Sequence, residues 1–127
     1  MHKYLLDTHI FLWWLSDSGR LSSQVFDIIS DTSNRIYISS VTIWEIAIKE
    51  NLGKLKVNAD MRDAIEANGF IELKISAVCA NATKNLEPIH RDPFDRMLIA
   101  QAIEGDMTLI TVDRMIVRYS GVRVLHF

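Results

Sequence analysis

The chain has 127 residues, 49% of them hydrophobic and 24% charged, which suits one globular core and excludes wholesale disorder. A net charge of −2 and a pI near 6.0 exclude a protein that grips nucleic acid by bulk charge, so RNA handling would need a local basic patch or a second chain. The single cysteine, Cys79, excludes an internal disulfide and a CxxC zinc site, and its Ala/Val-rich setting predicts a buried packing thiol.

Short apolar runs alternate with longer helix-period segments. Tyr4 to Leu6 reads as a first strand and His9 to Leu15 as a helix. The run Ile10 to Leu15 is far shorter than the roughly 20 residues of a membrane span. It follows Asp7 and His9 directly, which is unlike a signal-peptide core. The expectation is a cytoplasmic protein, complete as written, with one domain over residues 1–127. Ser22 to Ser30 predicts a second helix with Val25, Ile28 and Ile29 on one face, and the β-branched and aromatic segment Arg35 to Ser39 a strand. Thr42 to Asn51 predicts a helix with Ile43, Ile46 and Ala47 inward, closing near Gly53. Met61 to Ala67 reads as helix, Phe70 to Leu73 as strand and Ser76 to Asn85 as helix. Asp92-Pro93 opens a long helix through Ile103, because aspartate caps and proline suits the first helical position, and Gly105 ends it. Thr108 to Val112 is a strand, a short helix follows Asp113, and Val122 to Leu125 is a last strand. Such alternation predicts an α/β fold, a parallel sheet flanked by helices on both faces. In sheets of this kind the working crevice lies beyond the carboxyl ends of the strands.

Acids stand at those ends. Asp7 follows the first strand and Asp113 the strand Leu109 to Val112, while Glu45 and Asp95 open helices. Each has a plain alternative. Thr42-Ile43-Trp44-Glu45 matches a capping box, and Asp7, Asp92, Asp95 and Asp113 suit helix starts. Capping does not explain why four acids fall at one edge of the sheet. Clustered carboxylates repel unless a cation sits between them, and an all-oxygen set suits Mg²⁺ or Mn²⁺. The chemistry implied is metal-assisted phosphodiester hydrolysis. By contrast Asp17, Asp27, Asp31, Asp60 and Asp63 read as solvated.

The segments Leu5-Leu6-Asp7-Thr8-His9, Ser39 to Ile46, His90-Arg91-Asp92-Pro93-Phe94-Asp95-Arg96 and Thr111-Val112-Asp113 resemble the PIN-domain nucleases. More narrowly they resemble the VapC-type toxins of bacterial toxin–antitoxin pairs. The likeness runs from Tyr4 to the C-terminus with the motifs in order. It implies a Rossmann-like PIN fold, Mg²⁺- or Mn²⁺-dependent endoribonuclease activity, homodimerisation and inhibition by a cognate VapB-type antitoxin. Asp7 and Asp95 match the magnesium-ligand aspartates, Glu45 and Asp113 the other acidic positions, and Thr8 and Thr111 supporting polar residues. One departure is Ile116, where such proteins often carry an aromatic.

Arg91, Arg96 and Arg114 flank the acids and are candidates for RNA phosphate contacts, against a reading as surface or ion-pairing arginines. Lys49, four residues after Glu45, suits a helical ion pair. His9 and His90 are expected to play structural or supporting roles. Trp13, Trp14 and Trp44 read mostly as core, except that adjacent tryptophans cannot both face inward, so one of the first two should line an exposed apolar groove fit for a partner. DNA binding is expected only through that partner. A phospho-acceptor receiver domain is disfavoured: Asp7 has no acidic neighbour, and no lysine closes the late strand. A non-catalytic RNA-binding module of PIN type would not need all four acids. No glycine-rich nucleotide-binding motif is present.

Overall fold

The computed structural model describes residues 2–127, and its frame is a five-stranded parallel sheet. Strand β1 (Lys3–Leu6) is followed by helices α1 (Thr8–Ser16) and α2 (Ser23–Ser30), then β2 (Arg35–Ser39) and α3 (Ser40–Asn51). Helix α4 (Met61–Ala67), β3 (Ile71–Leu73), α5 (Ala77–Ala82) and a 3₁₀ turn (Thr83–Asn85) lead to α6 (Pro93–Gly105). The chain closes with β4 (Thr108–Thr111), α7 (Arg114–Val117) and β5 (Arg123–His126). Strand order is β3-β2-β1-β4-β5, so the chain leaves β1 toward one edge and later returns to its other side. No helix is long and apolar enough to cross a membrane among the described residues.

The sheet is covered on both faces because its strands are apolar on both. Leu6, Ile36, Ile38 and Ile110 face a core completed by Ile10 and Phe11 of α1. Leu5 and Leu109 face a second core with Val41, Leu98, Ile99 and Ile116. The period-2 alternation of Leu5-Leu6 and Leu109-Ile110 thus serves both layers. Ile116 is fully buried here, so the departure from an aromatic at this position is a packing solution. Cys79 is buried, as its setting predicts.

Several expectations are corrected. Helix α3 starts at Ser40, two residues early, capped by Ser39, whose hydroxyl accepts from Val41 N–H. Glu45 therefore lies in the second turn, and the Thr42–Glu45 capping box does not exist. On the same helix Ala47 is exposed, and Trp44 is 60% exposed rather than core, its ring set edge-on to Phe94. Helix α6 includes Gly105 and ends at Asp106, which takes the left-handed conformation itself at φ 55°. Aspartate tolerates that region better than most side chains. The expected helix from Ser76 breaks into α5 and the 3₁₀ turn.

Candidate functional site

The carboxyl ends of β1 and β4 are adjacent, with Leu6 in register with Ile110, and the strand order reverses there. A parallel sheet opens its crevice at such a switch point. Asp7 is held to β4 by its own N–H on Ile110 O at 3.1 Å. A cleft of about 320 Å³ lies over this point, lined by Asp7, Glu45, Asp92, Asp95 and Asp113, with Thr8, His9, Lys49 and His90 beside them. All four sequence-predicted acids therefore share one cleft.

Capping and clustering are not alternatives for two of them. Asp7 Oδ1 accepts from Ile10 N–H at 2.9 Å and caps α1, while Oδ2 takes the Thr111 hydroxyl. Asp113 Oδ1 accepts from Met115 N–H at 2.8 Å and caps α7, leaving Oδ2 for the cleft. Asp95 caps nothing. That work falls to Asp92, whose Oδ1 accepts from Phe94 N–H at 2.8 Å and Asp95 N–H at 3.3 Å. Glu45 is held by Thr8, which donates to Oε1 at 2.6 Å, and by Lys49 Nζ at 2.9 Å from Oε2, the helical ion pair expected from the spacing. Thr111 also accepts from Asp113 N–H at 2.9 Å, so one hydroxyl ties the acids after β1 and β4 together.

His90 stands closer to the acids than its sequence position suggests. Nδ1 accepts from Asp92 N–H at 3.3 Å, so the proton of the neutral ring sits on Nε2. That nitrogen lies 2.8 Å from Asp113 Oδ2 and 3.0 Å from Asp95 Oδ2. Ligand-capable atoms of His90, Asp95 and Asp113 fall within 4.8 Å of one another. The only advance signal was its place two residues before the Asp92 cap.

The charges are strained. Burial, then Asp92, push the Asp95 carboxyl up to about 7; His90 pulls it down, and Asp113 and Asp7 push it up again. Burial also raises Asp7, against hydrogen bonds from Thr111 and Ile10 and the charge of His9, while Asp113 adds to the rise. Burial opposes ionisation of Asp113 too, but hydrogen bonds from His90 and Met115 and the charges of His90 and His9 outweigh it, and its pKa is lowered. Buried carboxylates that resist ionisation with water alone are what a hard cation relieves, and the oxygen-rich donor set fits Mg²⁺ or Mn²⁺.

Of the three candidate arginines, Arg96 is half-buried and turned to the backbone. Its guanidinium donates to the carbonyls of Thr83, Glu87 and His90 and to Tyr119 Oη, at 2.8–3.2 Å. It clamps the segment before α6 and is not a free phosphate ligand, which corrects the reading from sequence. Arg91 and Arg114 are exposed.

A second, larger depression of about 650 Å³ joins the cleft, sharing Thr8, His9 and Lys49. Leu12, Trp13 and Leu15 of α1 form one wall, Leu55 and Val57 another. Trp13 and Trp14 are both half-buried against the core, and Trp13 is the one that lines this depression, with Arg20 5.5 Å from its ring centroid. Trp14 packs on Phe26 and Phe70 and donates Nε1–H to Asn68 Oδ1 at 3.0 Å.

The chain is 26% identical over 117 residues to ribonuclease VapC22 of Mycobacterium tuberculosis, covering 90% of this chain and 89% of that one. Its fold matches VapBC2 of Rickettsia felis, bound to a promoter DNA fragment, with TM-score 0.71 at 17% identity, covering 98% of each chain. DNA-bound VapBC of Salmonella typhimurium gives 0.70 at 20%, covering 99% of this chain and 98% of that one. The PIN domain family model matches residues 4–122, from the strand that carries Asp7 to beyond the helix that Asp113 caps, and the chain belongs to the PIN domain family.

Proposed function

We propose that this protein is the toxin of a toxin–antitoxin pair, a VapC-type endoribonuclease that hydrolyses RNA phosphodiester bonds with Mg²⁺ or Mn²⁺. The observation that carries the reading is a cleft at the switch point where buried Asp7 and half-buried Asp95 have raised pKa beside Asp113 and Glu45. Likeness to VapC22, itself a ribonuclease, supports it.

In this reading Asp7, Glu45, Asp95 and Asp113 hold the cation. Bound there, it supplies Lewis acidity for attack of water on the phosphodiester and neutralises charge on the phosphate. Thr111 orients Asp7, and Thr8 with Lys49 fixes Glu45. His90 donates Nε2–H between Asp95 and Asp113, keeping their oxygens turned inward. Arg91 and Arg114 remain candidates for phosphate contact.

The partner reading uses the groove beside the cleft. An amphipathic segment of an antitoxin would cover Trp13, Leu12 and Leu15, and a basic side chain from it would reach the carboxylates and displace metal. DNA would be bound through that partner. Two copies of this chain would pair through exposed apolar side chains such as Trp44, Leu52 and Val78, which light scattering of the free protein tests.

The deciding experiment incubates pure protein with total RNA in Mg²⁺, Mn²⁺ or EDTA and maps new ends. Cleavage with either metal and none in EDTA is expected; full activity in excess EDTA refutes the metal site. RNA binding without cleavage under every condition would favour the non-catalytic module.

A further inference from the structure

The groove that joins the cleft is basic along one side. Lys49, Lys54 and Lys56 line it together with His9, and no Asp or Glu does so among the described residues. The chain's other lysines, Lys3, Lys74 and Lys84, lie elsewhere, and the whole chain carries a net charge of −2. The concentration has a local cause. In the segment between α3 and α4, Leu55 and Val57 pack against the core under α1, and the alternating Lys54 and Lys56 are left exposed. Lys49 continues the line into the cleft, where it pairs with Glu45.

On the reading that this protein cleaves RNA, we infer that Lys54 and Lys56 form a phosphate rail that holds the single-stranded RNA backbone running out of the cleft. The occupant follows from charge and continuity. A strand whose scissile phosphate sits over Asp7, Asp95 and Asp113 must leave the cleft, and the groove sharing Thr8, His9 and Lys49 is an exit with cations and no opposing acids. Ammonium groups on exposed stems bind phosphates as point charges, independent of sequence. The rail therefore governs affinity and salt dependence, not chemistry. A partner segment seated in the same groove would exclude RNA from it.

The test is the double variant Lys54→Gln/Lys56→Gln, with Lys54→Arg/Lys56→Arg as the conservative control. Cleavage of an RNA containing a mapped site should show KM raised about tenfold for the glutamine variant at low salt, kcat within about twofold of wild type, and recovery in the arginine variant. Binding of a labelled unstructured oligoribonucleotide, measured by anisotropy in the Asp95→Asn background from about 50 to 200 mM salt, should lose about 1.4 from the slope of log K against log salt, about 0.7 per lost contact. Unchanged KM and slope in the glutamine variant, with wild-type cleavage intact, overturn the rail alone. That holds equally if the same variant loses affinity for a purified antitoxin, since the lysines would then serve the protein partner. A wild-type protein inert toward RNA with Mn²⁺ overturns the ribonuclease reading and the rail with it.

Discussion

Replacing Asp95 by asparagine separates a metal ligand from a helix-start acid, because the two roles predict opposite changes in stability. The folded-state pKa of Asp95 is pushed up to about 7 from an ordinary 3.8. An acid raised on folding costs nothing below about pH 4, where both states are protonated. The cost grows between pH 4 and 7, as the unfolded chain ionises and the folded one does not, and is complete above 7. Three units at about 1.4 kcal/mol each give roughly 4 kcal/mol at pH 8 in the metal-free protein. Asparagine keeps the shape and carries no charge to desolvate, so Asp95→Asn should be more stable than wild type at pH 8 by up to that amount. For a domain of this length that is a rise in Tm of about 10 °C or more. Near pH 4 the two should melt together. The other raised acid, Asp7, and the lowered one, Asp113, are present in both proteins, so the difference reports Asp95 together with its coupling to these neighbours. A first-turn acid that served only the helix dipole would instead lose about 0.3–1 kcal/mol on the same change. The assay is calorimetric melting in EDTA from pH 4 to 8, with RNA cleavage in Mn²⁺ on the same samples. Equal or lower stability of the variant at pH 8, or cleavage at the wild-type rate, refutes the reasoning.

Mn²⁺ or Mg²⁺ at about 100 times its dissociation constant should stabilise wild type by about 2.7 kcal/mol and leave Asp95→Asn nearly unmoved, read as the metal-dependent shift in Tm. Ca²⁺ should also raise the wild-type Tm but support little cleavage, since its looser coordination places attacking water poorly. Thr111→Val removes the hydroxyl that Asp7 Oδ2 accepts and should weaken metal binding about tenfold or more, measured by titration calorimetry. Arg96→Ala should cost about 2–4 kcal/mol in urea melts, because three carbonyls and Tyr119 lose their donor, and leave the salt dependence of RNA binding unchanged. Trp13→Ala should weaken antitoxin capture about tenfold with nuclease activity retained, and equal capture by variant and wild type would remove the groove from the partner reading.

The parallel sheet was legible because the central strands are apolar on both faces and each helix carries its own start signal, as Asp92-Pro93 does for α6. The acids were legible as a set, since strand ends in such a sheet converge whatever the loops do. What stayed hidden depended on contacts far apart in the chain. The Thr42–Glu45 spacing matches a capping box as well as it matches a site acid, and only the earlier start at Ser40 decides between them. Trp44 carries no mark of exposure, because its environment is set by α6, about fifty residues on, where Phe94 offers an edge but no cover. Arg96 looked like a phosphate ligand on charge and position alone. Its carbonyl partners lie on the turns at Thr83, Glu87 and His90, which leave no periodic signal.

The same reasoning explains why capping and site roles coincide at Asp7 and Asp113. A parallel strand that feeds a helix needs an N-cap at its carboxyl end, and a capping carboxylate uses one oxygen on the backbone. The second oxygen is left pointing across the switch point with its orientation already fixed. Asp7 turns that oxygen to Thr111 and Asp113 turns it to His90, so on the proposed metal reading the first turn of each helix would preorganise a ligand at no further cost in side-chain freedom. Asp95 has no such double use and is anchored only by its helix and His90. Its charge therefore depends on what fills the cleft, which fits its pKa near 7 and makes it an informative position to change.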